Sequence, residues 1–67
     1  MLLTKRESQV VETLAETLAS NQGIGLILGI GKQTVKNHLL SICNKVGVSN
    51  RYQLVQWYYK NKMKERT

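Results

Sequence analysis

The chain has 67 residues and contains no proline, no phenylalanine, a single cysteine and only four acidic residues. With one thiol, Cys43, no internal disulfide can form, and the pattern is that of a reduced, intracellular compartment. The N-terminal stretch MLLTKRESQVVE reaches a glutamate at position seven and offers no apolar core or small-residue cleavage site, which argues against a secretory signal. No long hydrophobic run exists either. The most apolar segment, Ile24 to Ile30, is too short and too rich in glycine to span a bilayer. Repeats and low-complexity tracts are also missing. A chain this short buries only about 60% of its unfolded surface, which leaves room for one small domain and little for an elaborate active site. Nothing resembles a nucleophile–base pair or paired carboxylates, so no enzymatic activity is expected. The single histidine, His38, and the single cysteine fall short of a zinc ligand set, and no metal or other cofactor is expected.

What the chain does have is positive charge, unevenly placed. The net charge is +6. Residues 1–31 hold two basic side chains against three glutamates, whereas residues 32–67 hold eight against Glu65 alone. A basic second half on a small domain suggests a polyanionic partner, either nucleic acid or an anionic membrane surface.

Hydrophobic spacing points to an all-α fold of four helices, over 4–18, 21–28, 32–46 and 50–61. Thr4 and Glu7 stand in capping-box spacing, and Val10, Val11, Leu14, Ala15 and Leu18 share one helical stripe. Glu7, Glu12 and Glu16 are expected to face water. Ser20 and Asn21 offer a cap to a short second helix whose buried edge would be Ile24, Ile27 and Leu28. In the third segment Val35, Leu39, Ile42 and Val46 step by four, three and four, a core stripe; Gly47 then Val48 fits a Schellman ending. All four aromatic residues, Tyr52, Trp57, Tyr58 and Tyr59, fall in the fourth segment, and the basic tail 61–67 is expected to fray.

Four of the five glycines crowd into residues 23–31, and Lys32 follows. A phosphate-binding loop would need a glycine at position 26, which is Leu26, and a hydroxyl residue at 33, which is Gln33. The dinucleotide fingerprint also misses by one residue, and neither motif follows a predicted strand. A short helix, a tight turn and a longer polar-faced helix instead suit a helix-turn-helix, whose second helix lies in the major groove. On that reading Lys36 and Asn37 reach base edges, and Leu40 reaches a thymine methyl. Lys32, Gln33, Thr34, Lys45 and Arg51 contact phosphates.

Three segments together carry a resemblance: LTKRE at 3–7, SNQGIGLILGIGKQTVKNH at 20–38 and ICNKVGVSNR at 42–51. They are similar to the pattern LTxRE, SNxxIAxxLxISxxTVKxH and IxxKLGVxxR of the LuxR/FixJ-type, GerE-like helix-turn-helix domain. The resemblance covers residues 3–60, and the combined spacing is far more specific than any one piece. It implies a DNA-binding transcriptional regulator, bacterial or phage-encoded, cytoplasmic and nucleoid-associated. It also implies a homodimer formed through the fourth helix, where Tyr52, Gln56, Tyr59 and Met63 make an apolar stripe beside the one formed by Leu54, Val55 and Tyr58. Lys36, Asn37 and Leu40 match base-facing positions of the pattern, Thr34 a phosphate-facing one, and Arg51 its last arginine.

Gly23, Gly25 and Gly31 stand where the pattern usually has glutamate, alanine and serine, and the link before Ser20 is one residue longer and lacks its glycine. On these grounds Gly25→Ala is expected to raise the melting temperature. With Met1 two residues from the motif, a stand-alone domain is expected. The alternative function is a protein-interaction module of the same fold that binds and modulates another transcription regulator. Membrane binding through YYKNKMKERT is a weaker rival and is not expected. His38 is read as packed or phosphate-bonded and Cys43 as a small hydrophobe.

Overall fold

A computed structural model describes the backbone of residues 3–66 and the side chains as far as Lys62. Among the described residues the elements are α1 (Lys5–Thr17), α2 (Asn21–Leu28), α3 (Lys32–Val46) and α4 (Arg51–Arg66), with no strand. The architecture is all-α, as the spacing predicts.

Local chemistry sets the boundaries. Thr4 caps α1: its Oγ1 accepts from the Glu7 amide at 3.1 Å, and Glu7 Oε1 accepts from the Thr4 amide at 3.0 Å. Ser20 caps α2 by accepting from the Gly23 amide. The helices α2 and α3 both end in left-handed glycines, Gly29 (φ 74°) and Gly47 (φ 82°). Helix α1 ends the same way on Leu18 (φ 56°), where the family pattern carries glycine. A side chain in that region costs about 1–2 kcal/mol. After Gly47, the amides of Gly47 and Val48 both donate to the Cys43 carbonyl, the expected Schellman closure. Asn50 caps α4 through the Gln53 amide.

The core lies where α1, α2 and α3 meet, closed by α4 across α1. Val10, Leu14, Ile24, Val35, Ile42 and Leu54 are almost wholly buried, with Leu39 and Leu3 beside them. Half-buried Trp57 and Tyr58 cover the α1–α4 seam.

Four expectations are corrected. Glu7 does not face water; it is 4% exposed, drawn in by partners on α3. Ile27 is 59% exposed, because the eight-residue α2 turns only Ile24 and Gly25 fully inward. Gly25 is buried, and a methyl group there would collide with the carbonyl oxygen of Ile30 in the α2–α3 turn, so the space expected for alanine is taken by backbone. Helix α4 does not stop near 61. It continues to Arg66, supported by Lys62, whose ammonium lies 3.8 Å from Glu16 and over the ring of Tyr58.

Candidate nucleic-acid interface

Helix α3 is divided lengthwise. Val35, Leu39 and Ile42 are buried, which fixes its rotation about its own axis. The opposite face then presents Lys32, Gln33, Lys36, Asn37, Leu40 and Asn44 to solvent, with Thr34 also exposed. All three residues expected at base edges lie on this face. Leu40, 57% exposed, is an apolar side chain with no intramolecular partner to explain it. The N-terminus of α3 is open: its cap residue, Gly31, makes no side-chain hydrogen bond. First-turn amides with no such partner are free to meet an anion.

The C-terminal half of α3 is tied down. Glu7 Oε1 accepts from Lys45 Nζ at 2.7 Å and Oε2 accepts from Ser41 Oγ at 2.9 Å. The Lys45 hydrogen bond, aided by the Thr4 amide, pulls the Glu7 carboxyl down from 4.5 to about 2. An acidic first turn of α1 thus meets a basic last turn of α3, each favourable to its own helix dipole. Lys45 therefore has a scaffold role in place of the free phosphate-contacting ammonium expected from sequence.

Arg51 also has intramolecular partners. Its guanidinium donates to Asn21 Oδ1 at 2.8 Å and to the Ala19 carbonyl at 2.6 Å, fastening the start of α4 to the α1–α2 link. It remains exposed and lines one wall of a shallow cleft whose other wall is Lys36, Leu40 and Asn44. Asn44 was not singled out in the sequence, although it lies one turn beyond Leu40. Gln33 turns along the helix, its Nε2 donating to Asn37 Oδ1 at 3.2 Å. His38 is half-buried beside Leu39. Cys43 is half-buried and burial pushes its thiol up, which keeps it protonated as a small apolar group.

On α4, Leu54 is buried and Val55 and Tyr58 are half-buried, while Tyr52, Gln56 and Tyr59 are exposed. Tyr59 donates its hydroxyl to the Ala15 carbonyl at 2.8 Å, which fixes it against the end of α1. Tyr52 is 72% exposed. The Met63 side chain, fourth in the expected stripe, lies outside the described residues.

With a short α2, a glycine turn and an exposed polar α3 in place, the chain was compared with known proteins. The family model for bacterial regulatory proteins of the luxR family matches residues 1–58. The chain belongs to that family. It is 43% identical over 56 residues to the CsgBAC operon transcriptional regulatory protein of Escherichia coli, covering 84% of this chain and 26% of the relative. It is 40% identical over 60 residues to the transcriptional regulatory protein DegU of Brevibacillus brevis, covering 90% of this chain and 25% of that one. The spore germination protein GerE of Bacillus subtilis is 41% identical over 54 residues, covering 81% and 72%. The chain thus spans about a quarter of the length of several curated relatives it matches. No solved structure matches it significantly. As a LuxR-type helix-turn-helix it belongs to a family of transcription regulators rather than enzymes, and α2 and α3 are the two helices of the motif. Among the described residues no helix is long and apolar enough to cross a membrane.

Proposed function

We propose that this LuxR-type domain is a sequence-reading DNA-binding regulator that inserts α3 into the major groove and acts in the bacterial cytoplasm without a cofactor. The observation that carries this reading is the two-sided α3, with its apolar side fully docked and an exposed side bearing Lys36, Asn37 and Leu40. Those three are the base-contacting residues. Lys32, Thr34 and Arg51 flank them and, with the uncapped amides of the first turn, hold the phosphates that set register. Lys45 is left out of that set because its charge is engaged by Glu7.

A C2 dimer through the exposed stripe Tyr52, Gln56 and Tyr59 would bring two recognition helices about one DNA turn apart, as half-site geometry requires. Tyr52→Ala is the appropriate probe of this, since Tyr59 also holds α1. The expected result is a weaker dimer in sedimentation equilibrium with an unchanged melting curve.

DNA reading is tested by fluorescence anisotropy on duplexes selected from a random pool, across a range of salt. Lys36→Ala and Asn37→Ala should each weaken specific binding on the order of tenfold. Their melting temperatures should stay near the wild type, because both side chains are exposed. Wild-type affinity for both variants, or no preference for any duplex over random DNA, overturns the assignment.

A second reading, a module that docks on another transcription regulator, is favoured by one observation. Leu26 and Ile27 are 78% and 59% exposed on α2, within a stretch from Thr17 to Gly31 that has no charged residue. Absence of DNA binding even at low salt would favour it.

A further inference from the structure

Asparagine and glutamine side chains carry a donor and an acceptor that exchange places when the amide turns over. An asparagine free in solvent presents either arrangement to a base. Asn37 is not free in this sense: its Oδ1 accepts a hydrogen bond from Gln33 Nε2, one helical turn earlier on the same exposed face. We propose that Gln33 is a positioning residue that locks the Asn37 amide in the orientation that reads adenine and rejects guanine. The proposal rests on α3 entering the major groove.

The chemistry follows from counting groups. The carbonyl oxygen of Asn37 has two lone pairs, of which Gln33 occupies one. The second lone pair and the Nδ2 hydrogens remain for a bidentate contact, Nδ2 donating to adenine N7 and Oδ1 accepting from adenine N6. Guanine keeps the N7 acceptor but replaces the N6 donor with O6, a second acceptor. With Oδ1 pinned, O6 and Oδ1 would face each other as two acceptors. Turning the amide over relieves that repulsion only by breaking the bond to Gln33. Adenine leaves the pair intact, and guanine does not.

Site selection from a randomised duplex pool, followed by affinities on the selected site and on its adenine-to-guanine replacement, tests this. Asn37→Ala first marks the base pair whose preference disappears. At that pair the wild type should favour adenine over guanine by on the order of tenfold or more. Gln33→Ala should bring that ratio most of the way to unity. Gln33→Glu presents only acceptors, draws the Asn37 amino group toward itself and should also lose the preference for adenine.

The ratio is the informative quantity. If Gln33 instead held a phosphate, its loss would lower both affinities together and leave the ratio unchanged; that result overturns the positioning role while leaving DNA reading intact. A preferred base other than adenine at the Asn37 position also overturns it. A wild-type chain that selects no sequence at all overturns both this inference and the function on which it rests.

Discussion

The two ends of α3 are held by different physics. At the C-terminal end, Glu7, buried in the first turn of α1, accepts hydrogen bonds from Lys45 and Ser41. A left-handed glycine, Gly47, then returns the Cys43 carbonyl two amides. At the N-terminal end no charge and no side-chain cap takes part. The turn is fixed by close approach of backbone to backbone, with Gly25 against Ile30 and the Ile30 amide donating to the Gly25 carbonyl at 2.9 Å. The difference suits a reading helix. The end away from the proposed base contacts is anchored by groups already satisfied within the fold. The end that enters the groove leaves its amides unspent.

The largest expected effect is at the anchored end. Glu7→Ala removes the ion pair, the Ser41 hydrogen bond and half of the capping box. Breaking a buried pair costs about 3–5 kcal/mol. Because Lys45 is 36% exposed and can return to water, the cost here should be at the lower end, about 3 kcal/mol. A domain of this size draws only ~3–5 kcal/mol from its core, so the variant should be largely unfolded when warmed. The same interaction gives an acid signature. The Glu7 carboxyl sits near 2 when folded and 4.5 otherwise, so its contribution is complete above about pH 4.5 and fades as pH falls toward 2. Melting curves of the wild type should therefore drop across that window, and those of Glu7→Gln should drop less. Equal acid sensitivity in the two would remove Glu7 from the anchor.

At the other end Gly25→Ala reverses what the sequence leads one to expect. Alanine gains about 1 kcal/mol in helix propensity over glycine. The added methyl would meet the Ile30 carbonyl oxygen, which cannot yield without moving the turn. Overpacking of that kind costs about 1–3 kcal/mol, and the net result should be a lower melting temperature. A rise would show that the turn gives way readily, and the backbone account of this end would fail.

What the sequence reveals and what it hides follow from the range of the interactions. The helix limits were legible because caps and stripes are local: Thr4 with Glu7, Val35 with Leu39 and Ile42, and Gly47 with Val48 all fall within one or two turns. The exposure of Lys36, Asn37 and Leu40 followed from the same stripe, since fixing one face of α3 fixes the other. Glu7 was misread because its partners, Ser41 and Lys45, lie 34 and 38 residues away and nothing in a local pattern announces them. Its invariant place in the LTxRE pattern was the available signal, and it acquires a cause only once α1 and α3 are packed. Gly25 was misread for a related reason: propensity scores the helix, whereas the obstruction belongs to the following turn. Ile27 was assigned inward because three apolar residues suggest a stripe, but a two-turn helix pressed against two neighbours has little buried edge.

The smallest effect tests whether the groove end is uncapped by geometry or only by composition. Gly31 already has cap dihedrals, φ −73° and ψ 155°, and a Cβ added there meets nothing within 4 Å. Serine at this position can accept from the Gln33 or Thr34 amide without strain. Replacing glycine by serine at a cap gains only a few tenths of a kcal/mol. In a domain of this length that is about 1–2 °C in melting temperature. Gly31→Ser should deliver that rise, leaving the contrast between the two ends intact because a single cap falls well short of a buried ion pair. A gain approaching that of the Glu7 network would erase the contrast, and a loss would mean that the turn requires glycine at 31 for a reason its dihedrals do not show.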